Sequence, residues 1–362
     1  MKTYLFSILA TLLVAVGCTV DEPITPNEPE PKPDPTPEVV ITLNESEITL
    51  QKGEEFQLSA TLSEGSGEIS WESDNKKVAI VDRTGKVIAL TVGEATITAR
   101  SAEAEAHCLV SVVEKPKVGW YYYDDGSYSS KLDHEKRAIG VIFWVGDPTA
   151  DDAALRREHP ECKHGLVVGL KHDRSYWQSN FSASGERVSV WVAENVSEYE
   201  APIVSNLAES VNRMMGYNNT KAIELYNEAN ENRNWPVEAI AATVAYRDKY
   251  KAPATSSDWY LPSPKELALL CSGEYDDNIY FAKEPGNDNR KFINERFAEL
   301  SDINSLAGLT HWSSAEFDER EVDEESIRVG WMVAVTAYFN DGDISVGFKD
   351  SNSGYLRYIL AF

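Results

Sequence analysis

A chain of 362 residues with 42% hydrophobic residues is long enough for two domains, and its net charge of −25 argues against nucleic acid or an anionic membrane surface as a partner. Its cysteines, Cys18, Cys108, Cys162 and Cys271, are too few and too irregularly spaced for a disulfide scaffold.

The chain begins with Lys2 and an apolar run from Tyr4 to Val16, too short to span a bilayer comfortably, ending in small residues before Cys18. "AVGC" at 15–18 resembles the lipobox of a bacterial lipoprotein signal, departing from its usual form at Ala15, where leucine is more common. The resemblance implies a signal peptide over 1–17, lipidation of Cys18 and an outer-membrane lipid anchor. Asp21 and Glu22 resemble the tag that sends some such lipoproteins to the outer face of that membrane. Residues 18–38 then read as a linker, because the prolines alternating with polar residues from Pro23 to Pro37 disfavour helix and sheet. An extended spacer of this length reaches roughly 45 Å.

Residues 39–114 show short alternating runs divided by turn signals, the pattern of an all-β sandwich. Examples are Glu55–Leu62, Val78–Asp82, Lys86–Leu90 and Ala95–Arg100. "LQKGEEFQLSA", "ISWESDNKKVAIVDRTGKVIAL" and "VGEATITA" resemble the group 2 bacterial immunoglobulin-like domain. The resemblance implies a core tryptophan at Trp71, turn glycines at Gly85 and Gly93, and a spacer role; Cys108 reads as a small buried hydrophobe.

Residues 118–362 open with "GWYYYDDGSYS", "AIGVIFWVGD" and "HGLVVGLKH", which read as strands. Ile203, Leu207, Val211 and Met215 recur every four residues and predict a helix stopped at Gly216; Thr220–Ala229 predicts another. Pro236 starts a third, running to about Tyr250 with Val237, Ile240 and Val244 on one side. In "DWYLPSPKELALLC", Ser263, Pro264 and Glu266 form a capping box ahead of an apolar stripe at Leu267 and Leu270. Strands return in "HWSSAE", "RVGWMVAVTAYF", "DISVGFKD" and "YLRYILAF", with Asp341-Gly342 and Ser353-Gly354 as hairpin turns. The order is α+β, not repeated βαβ. "DWYLPSPKELALL", "THWSSAE", "GWMVAV", "NDGDIS" and "LRYILAF" resemble the C-type-lectin-like domain of gut-bacterial surface lipoproteins and fibrobacter-type paralogous proteins. That implies pairing of "GWYYY" with "RYILAF" and core positions for Trp312 and Trp331. The fold also serves formylglycine-generating enzymes, pilus-tip adhesins and hypervariable ligand-binding proteins, so it does not settle function.

Three kinds of site can be drawn from the residues. For catalysis there is little: Cys271 sits alone on the apolar side of a capped helix, and no G-x-S-x-G or H-E-x-x-H occurs, so a non-enzyme is expected. For metal, His159, Cys162 and His164 have zinc- or copper-compatible spacing but lack a fourth ligand, and read as a solvated loop. Glu284, Asn287 and Asp288, with Asp341 and Asp343, offer oxygens to calcium, yet each group doubles as an ordinary turn, so no cofactor is expected and calcium stays open as an alternative. For binding, the resemblance maps a ligand face onto Tyr338, Asn340, Asp341, Asp343, Lys349, Asp350, Asn352 and Tyr355. Aromatic rings, amides and carboxylates on hairpins suit recognition of sugars and proteins. The expected function is a cell-surface lipoprotein whose head binds a glycan or protein on a host or bacterial surface, as an adhesin does. The alternatives are a carbohydrate-capture accessory of a polysaccharide-uptake system and a hypervariable ligand-binding protein.

Overall fold

A computed structural model describes residues 39–63, 67–181, 187–204, 212–273, 287–317, 333–350 and 354–362. Cys18, the proline-rich linker, Glu284, Trp331 and Asn352 lie outside the described residues. The chain divides into two compact units, through Val113 and from Glu114 onward.

In the first unit a sheet of β2 (Glu47–Gln51), β9 (Glu105–Val113), β8 (Gly93–Arg100) and β5 (Ser70–Ser73) accompanies one of β3 (Glu55–Gln57), β7 (Lys86–Ala89) and β6 (Ala79–Val81). The strands β1 (Ile41–Leu43) and β4 (Ala60–Leu62) pair separately. Strict alternation buries Ala95, Ile97 and Ala99 of β8 against Cys108, Val110 and Val112 of β9, while their neighbours face outward. Trp71 is half-buried and packs against this core from its margin. Gly85, at φ +87°, has no room for a side chain: a Cβ there would lie 2.4 Å from the Leu58 carbonyl oxygen.

The second unit is built on a nine-stranded sheet. Its strand order is β11 (Tyr128–Ser129), β10 (Tyr121–Tyr123), β12 (Ala138–Val145), β13 (Gly165–Arg174), β18 (Tyr355–Ala361), β15 (Thr310–Phe317), β16 (Val333–Tyr338) and β17 (Asp343–Phe348), with β14 (Ile203–Val204) beside β15. The sheet is covered on both faces, so its central strands are apolar on both sides. Val141 and Phe143 of β12, with Ile359 and Ala361 of β18, pack under α5 (Pro264–Ser272) and α6 (Asp288–Phe297). The alternate residues Ile142, Tyr358 and Leu360 pack under α2 (Val188–Asn195), α3 (Gly216–Glu228) and α4 (Glu238–Lys249). A short α1 (Ala153–Glu158) packs on the first of these faces. The chain as a whole is multi-sheet and predominantly β.

Several expectations change. "RYILAF" pairs with β13 and β15, and two strands separate it from "GWYYY". β17 and β18 do not pair as a hairpin either: β15 and β16 lie between them, and Ser353 of the expected turn lies outside the described residues. Ile203 belongs to a strand, and Leu207 and Val211 lie outside the described residues. Gly216 begins a helix rather than ending one, because the helix start is pressed against "YLPS": a Cβ on Gly216 would meet Glu266 Oε2 at 2.3 Å and the Leu261 carbonyl at 2.9 Å. Val244 is 39% exposed, and α4 instead buries Ala239, Ile240, Thr243 and Tyr246. α5 has its capping box, with Ser263 N–H donating to Glu266 at 2.6 Å, but no polar face: every residue from Pro264 to Cys271 is buried.

Candidate functional site at one end of the central sheet

The register aligns one end of the sheet across four strands. Arg174 lies opposite Tyr355, Tyr355 beside His311, and His311 opposite Ala337, while Thr310, Tyr338 and Asp343 form the next row outward. Tyr338 and Asp343 close a hairpin whose tip presents Asn340 and Asp341, all exposed, around Gly342 at φ +90°. The tip is held in two ways. Asp341 Oδ1 accepts from the Asp343 N–H at 3.2 Å, and Asn287, at the cap of α6, donates to the Asn340 carbonyl.

Tyr355 is half-buried, its ring meeting His172 edge-on at 4.8 Å and lying 5.0 Å from the Arg174 guanidinium. Beneath it His311, fully buried, stacks on Phe339 at 4.0 Å and hydrogen-bonds the Leu309 carbonyl through Nδ1 at 2.9 Å. Burial, with the Arg357 charge nearby, pushes the His311 pKa down to about 3, so this imidazole is neutral at any physiological pH.

Five of the expected ligand residues, Tyr338, Asn340, Asp341, Asp343 and Tyr355, are therefore brought to one end of the sheet. Lys349 is not among them. It follows β17 at the opposite end, is 1% exposed, pairs with the equally buried Glu316 and sits 4.9 Å from the Trp177 ring centre. Glu316 also accepts from the Ser189 N–H at 2.7 Å, so Lys349 is a buried counter-ion and not a surface ligand group. Asp350 is exposed beside it at that far end.

Residues that sequence patterning passed over complete the near end. β13 bulges relative to β18 between Val168 and His172, and the bulge delivers Lys171, His172 and Asp173 to a cavity of about 450 Å³ against Tyr246 and Lys249 of α4. A larger cavity of about 780 Å³ continues past Lys171 and Tyr250 toward residues 132–139 and 299–302. Only the polar run "KHDR" at the end of an apolar strand hinted at this in the sequence.

The metal candidates do not assemble: among the described residues no three His, Cys, Asp or Glu side chains are placed to hold an ion. His159 Nε2 instead contacts the Tyr217 hydroxyl at 3.1 Å, and Cys162 is buried. Cys108, Cys162 and Cys271 are buried and not disulfide-bonded, and burial pushes the latter two up to about 12, far from a reactive thiolate.

Known proteins place these features. Residues 39–108 match the profile of the bacterial Ig-like domain, group 2. The first unit carries an Ig-like domain. Over 276 residues the chain is 25% identical to a putative fimbrium tip subunit, Fim1C, of Bacteroides ovatus; the match covers 68% of this chain and 45% of the relative, so the chain spans about half that protein's length. A solved fimbrial protein from Bacteroides ovatus is 17% identical with a TM-score of 0.55, covering 90% of this chain and 71% of its own, and so shares the fold. An S-layer protein, SbsC domains 4 and 5, is 24% identical over 20% of this chain and 50% of its own, with a TM-score of 0.19 that carries no fold argument. The two relatives are thus described as a putative fimbrium tip subunit and a fimbrial protein.

Proposed function

We propose that this chain is a fimbria-associated, cell-surface protein with an adhesin-like role. In this reading the Ig-like unit is a spacer and the second unit is a lectin-like head that meets a glycan or protein on a host or bacterial surface. Lipidation of Cys18 anchors the chain in the outer membrane, and the proline-rich linker holds the domains away from it. The observation that carries the proposal is the likeness to a putative fimbrium tip subunit over 68% of the chain. Support comes from the sheet end, where Tyr338, Asn340 and Tyr355 stand on a hydrogen-bonded hairpin and a strand start, a rigid setting for recognition.

Binding requires no cofactor in this reading. Purified full chain adheres to host epithelial or bacterial cells, and EDTA leaves adhesion unchanged. Alanine at Tyr338, Asn340 and Tyr355 together abolishes adhesion without a large fall in melting temperature. Wild-type-like adhesion by this variant would remove the hairpin face from the proposal. Globomycin, which blocks lipoprotein signal cleavage, leaves an unprocessed precursor if Cys18 is lipidated.

A further inference from the structure

We propose that the groove formed by the two cavities at the sheet end binds an uncharged, hydroxyl-rich ligand, a neutral oligosaccharide segment. This rests on the adhesin-like reading of the head and names a ligand class and a site for it. The larger cavity, about 780 Å³, has the size of small-ligand sites, ~300–1,000 Å³.

The groove is built, not incidental. Arg357 lies fully buried under it and donates to the carbonyls of Gly169 at 3.1 Å and Lys171 at 3.3 Å on one wall. From the same guanidinium it donates to Asn304 at 3.0 Å and Ser305 at 2.9 Å on the other. One cation thus clamps the β13 bulge to the facing loop, and its five donors suit such a fork. An arginine cannot shed its charge to ease burial, and an apolar residue of similar volume is commonly no less stable in such a place. What the arginine provides is the fixed separation of two walls.

The lining chemistry selects the ligand. In a chain of net charge −25 the groove carries no excess of Lys and Arg over Asp and Glu in its lining. The cations are also already engaged: Lys171 with Asp302, Lys136 with Asp125, Arg137 with Asp124, Lys251 with Asp248, and Lys249 over the Tyr250 ring. An anionic ligand would have to displace these partners and would also meet the lining carboxylates of Asp133, Glu135, Asp173 and Glu299. A neutral ligand with many hydroxyls uses their remaining donor and acceptor capacity, while Leu170, Leu300 and the Tyr250 ring offer apolar surface to sugar C–H faces. At the floor Trp259, 1% exposed, keeps an indole N–H with no partner among the described residues.

The test uses the full chain with neutral lactosamine- and mannose-type oligosaccharides beside sialylated and sulfated forms of the same glycans. Ala245→Trp and Ser301→Trp each place a ring at an exposed groove position, one in each cavity, and melting curves establish which variant keeps the fold. The expected result is binding of neutral members that is insensitive to salt and weakened about tenfold or more by the groove substitutions. Selective, salt-sensitive binding of the sialylated or sulfated forms overturns the ligand class. Full binding by both folded groove variants, with loss in Tyr338→Ala, moves the site to the hairpin and overturns the groove. Adhesion to cells with no glycan bound overturns this proposal alone, whereas no adhesion at all removes the adhesin-like reading with it.

Discussion

Replacing Glu266 by glutamine should change how stability depends on pH, and by a calculable amount. Glu266 is 2% exposed, accepts from the Ser263 N–H at 2.6 Å and from the Tyr260 hydroxyl at 3.1 Å, and forms no ion pair among the described residues. Burial pushes its carboxyl up to about 7 from 4.5, with the buried Asp152 adding repulsion, a difference worth about 3 kcal/mol. The folded pKa lies above the unfolded value, so between about pH 4.5 and 7 the folded state holds the extra proton. The carboxyl therefore costs the most stability above pH 7, and that cost disappears as pH falls toward 4.5. His159, His172 and His311, whose pKa values burial lowers, act in the opposite sense below pH 6.5, so wild-type stability alone does not isolate Glu266. The difference between Glu266→Gln and wild type does. A glutamine oxygen can still accept from Ser263 while its amide donates to the Tyr260 oxygen. The variant should therefore gain about 2–3 kcal/mol on wild type at pH 8, and the gain should vanish near pH 5. For a unit of this size that is roughly 4–12 °C in the melting transition of the second unit, readable by calorimetry. A gap between variant and wild type that stays constant from pH 5 to 8 would refute the assignment of Glu266 as a titrating buried acid.

Lys349→Met strands Glu316 in the core and should destabilise the second unit by about 3–5 kcal/mol at neutral pH, which urea titration measures. Gly85→Ala should lower the melting transition of the Ig-like unit by more than about 1 kcal/mol, through its positive φ and the clash with Leu58, and leave the other transition in place. Cys162 and Cys271 should resist a thiol reagent at pH 8 in the folded chain and react once it is unfolded, which time-resolved mass spectrometry follows.

What the sequence disclosed depended on whether a signal was local. The alternation in β8 and β9 and the capping box at Ser263 are set within a few residues, and both are present as read. Gly216 looked like a helix stop because glycine usually is one, but here its missing Cβ makes room for Glu266, fifty residues away in sequence. Lys349 sat among turn residues and read as surface; only the fold brings Glu316 to it. The expected partner of the last strand comes from the C-type-lectin-like resemblance, and the sheet instead sets β12 and β13 between that strand and β10. Of the candidate site, the hairpin from Tyr338 to Asp343 was visible through its Asp-Gly turn, whereas the groove depends on a bulge in β13 that leaves no mark in the pattern.

Three buried ionisable side chains of the second unit, Asp152, Glu316 and Arg357, each join segments far apart in the chain. Asp152 accepts from Leu155 N–H at 2.9 Å and from Asn218 N–H at 2.9 Å, capping α1 and pinning the first turn of α3 with a single carboxylate. Glu316 receives the first turn of α2 and the ammonium of Lys349. Arg357 ties β13 to the loop at 304–305. Hydrophobic contacts alone could bury these points, but they are non-directional and would let the loops shift against one another. Directional bonds to a buried charge hold them in one geometry. In the proposed binding role a surface made of loop ends would gain from that rigidity, because ordering of loops on association subtracts directly from affinity. At the groove the desolvation cost of Arg357 is then a cost of preorganisation, while Glu316 with Lys349 fixes the opposite end of the sheet.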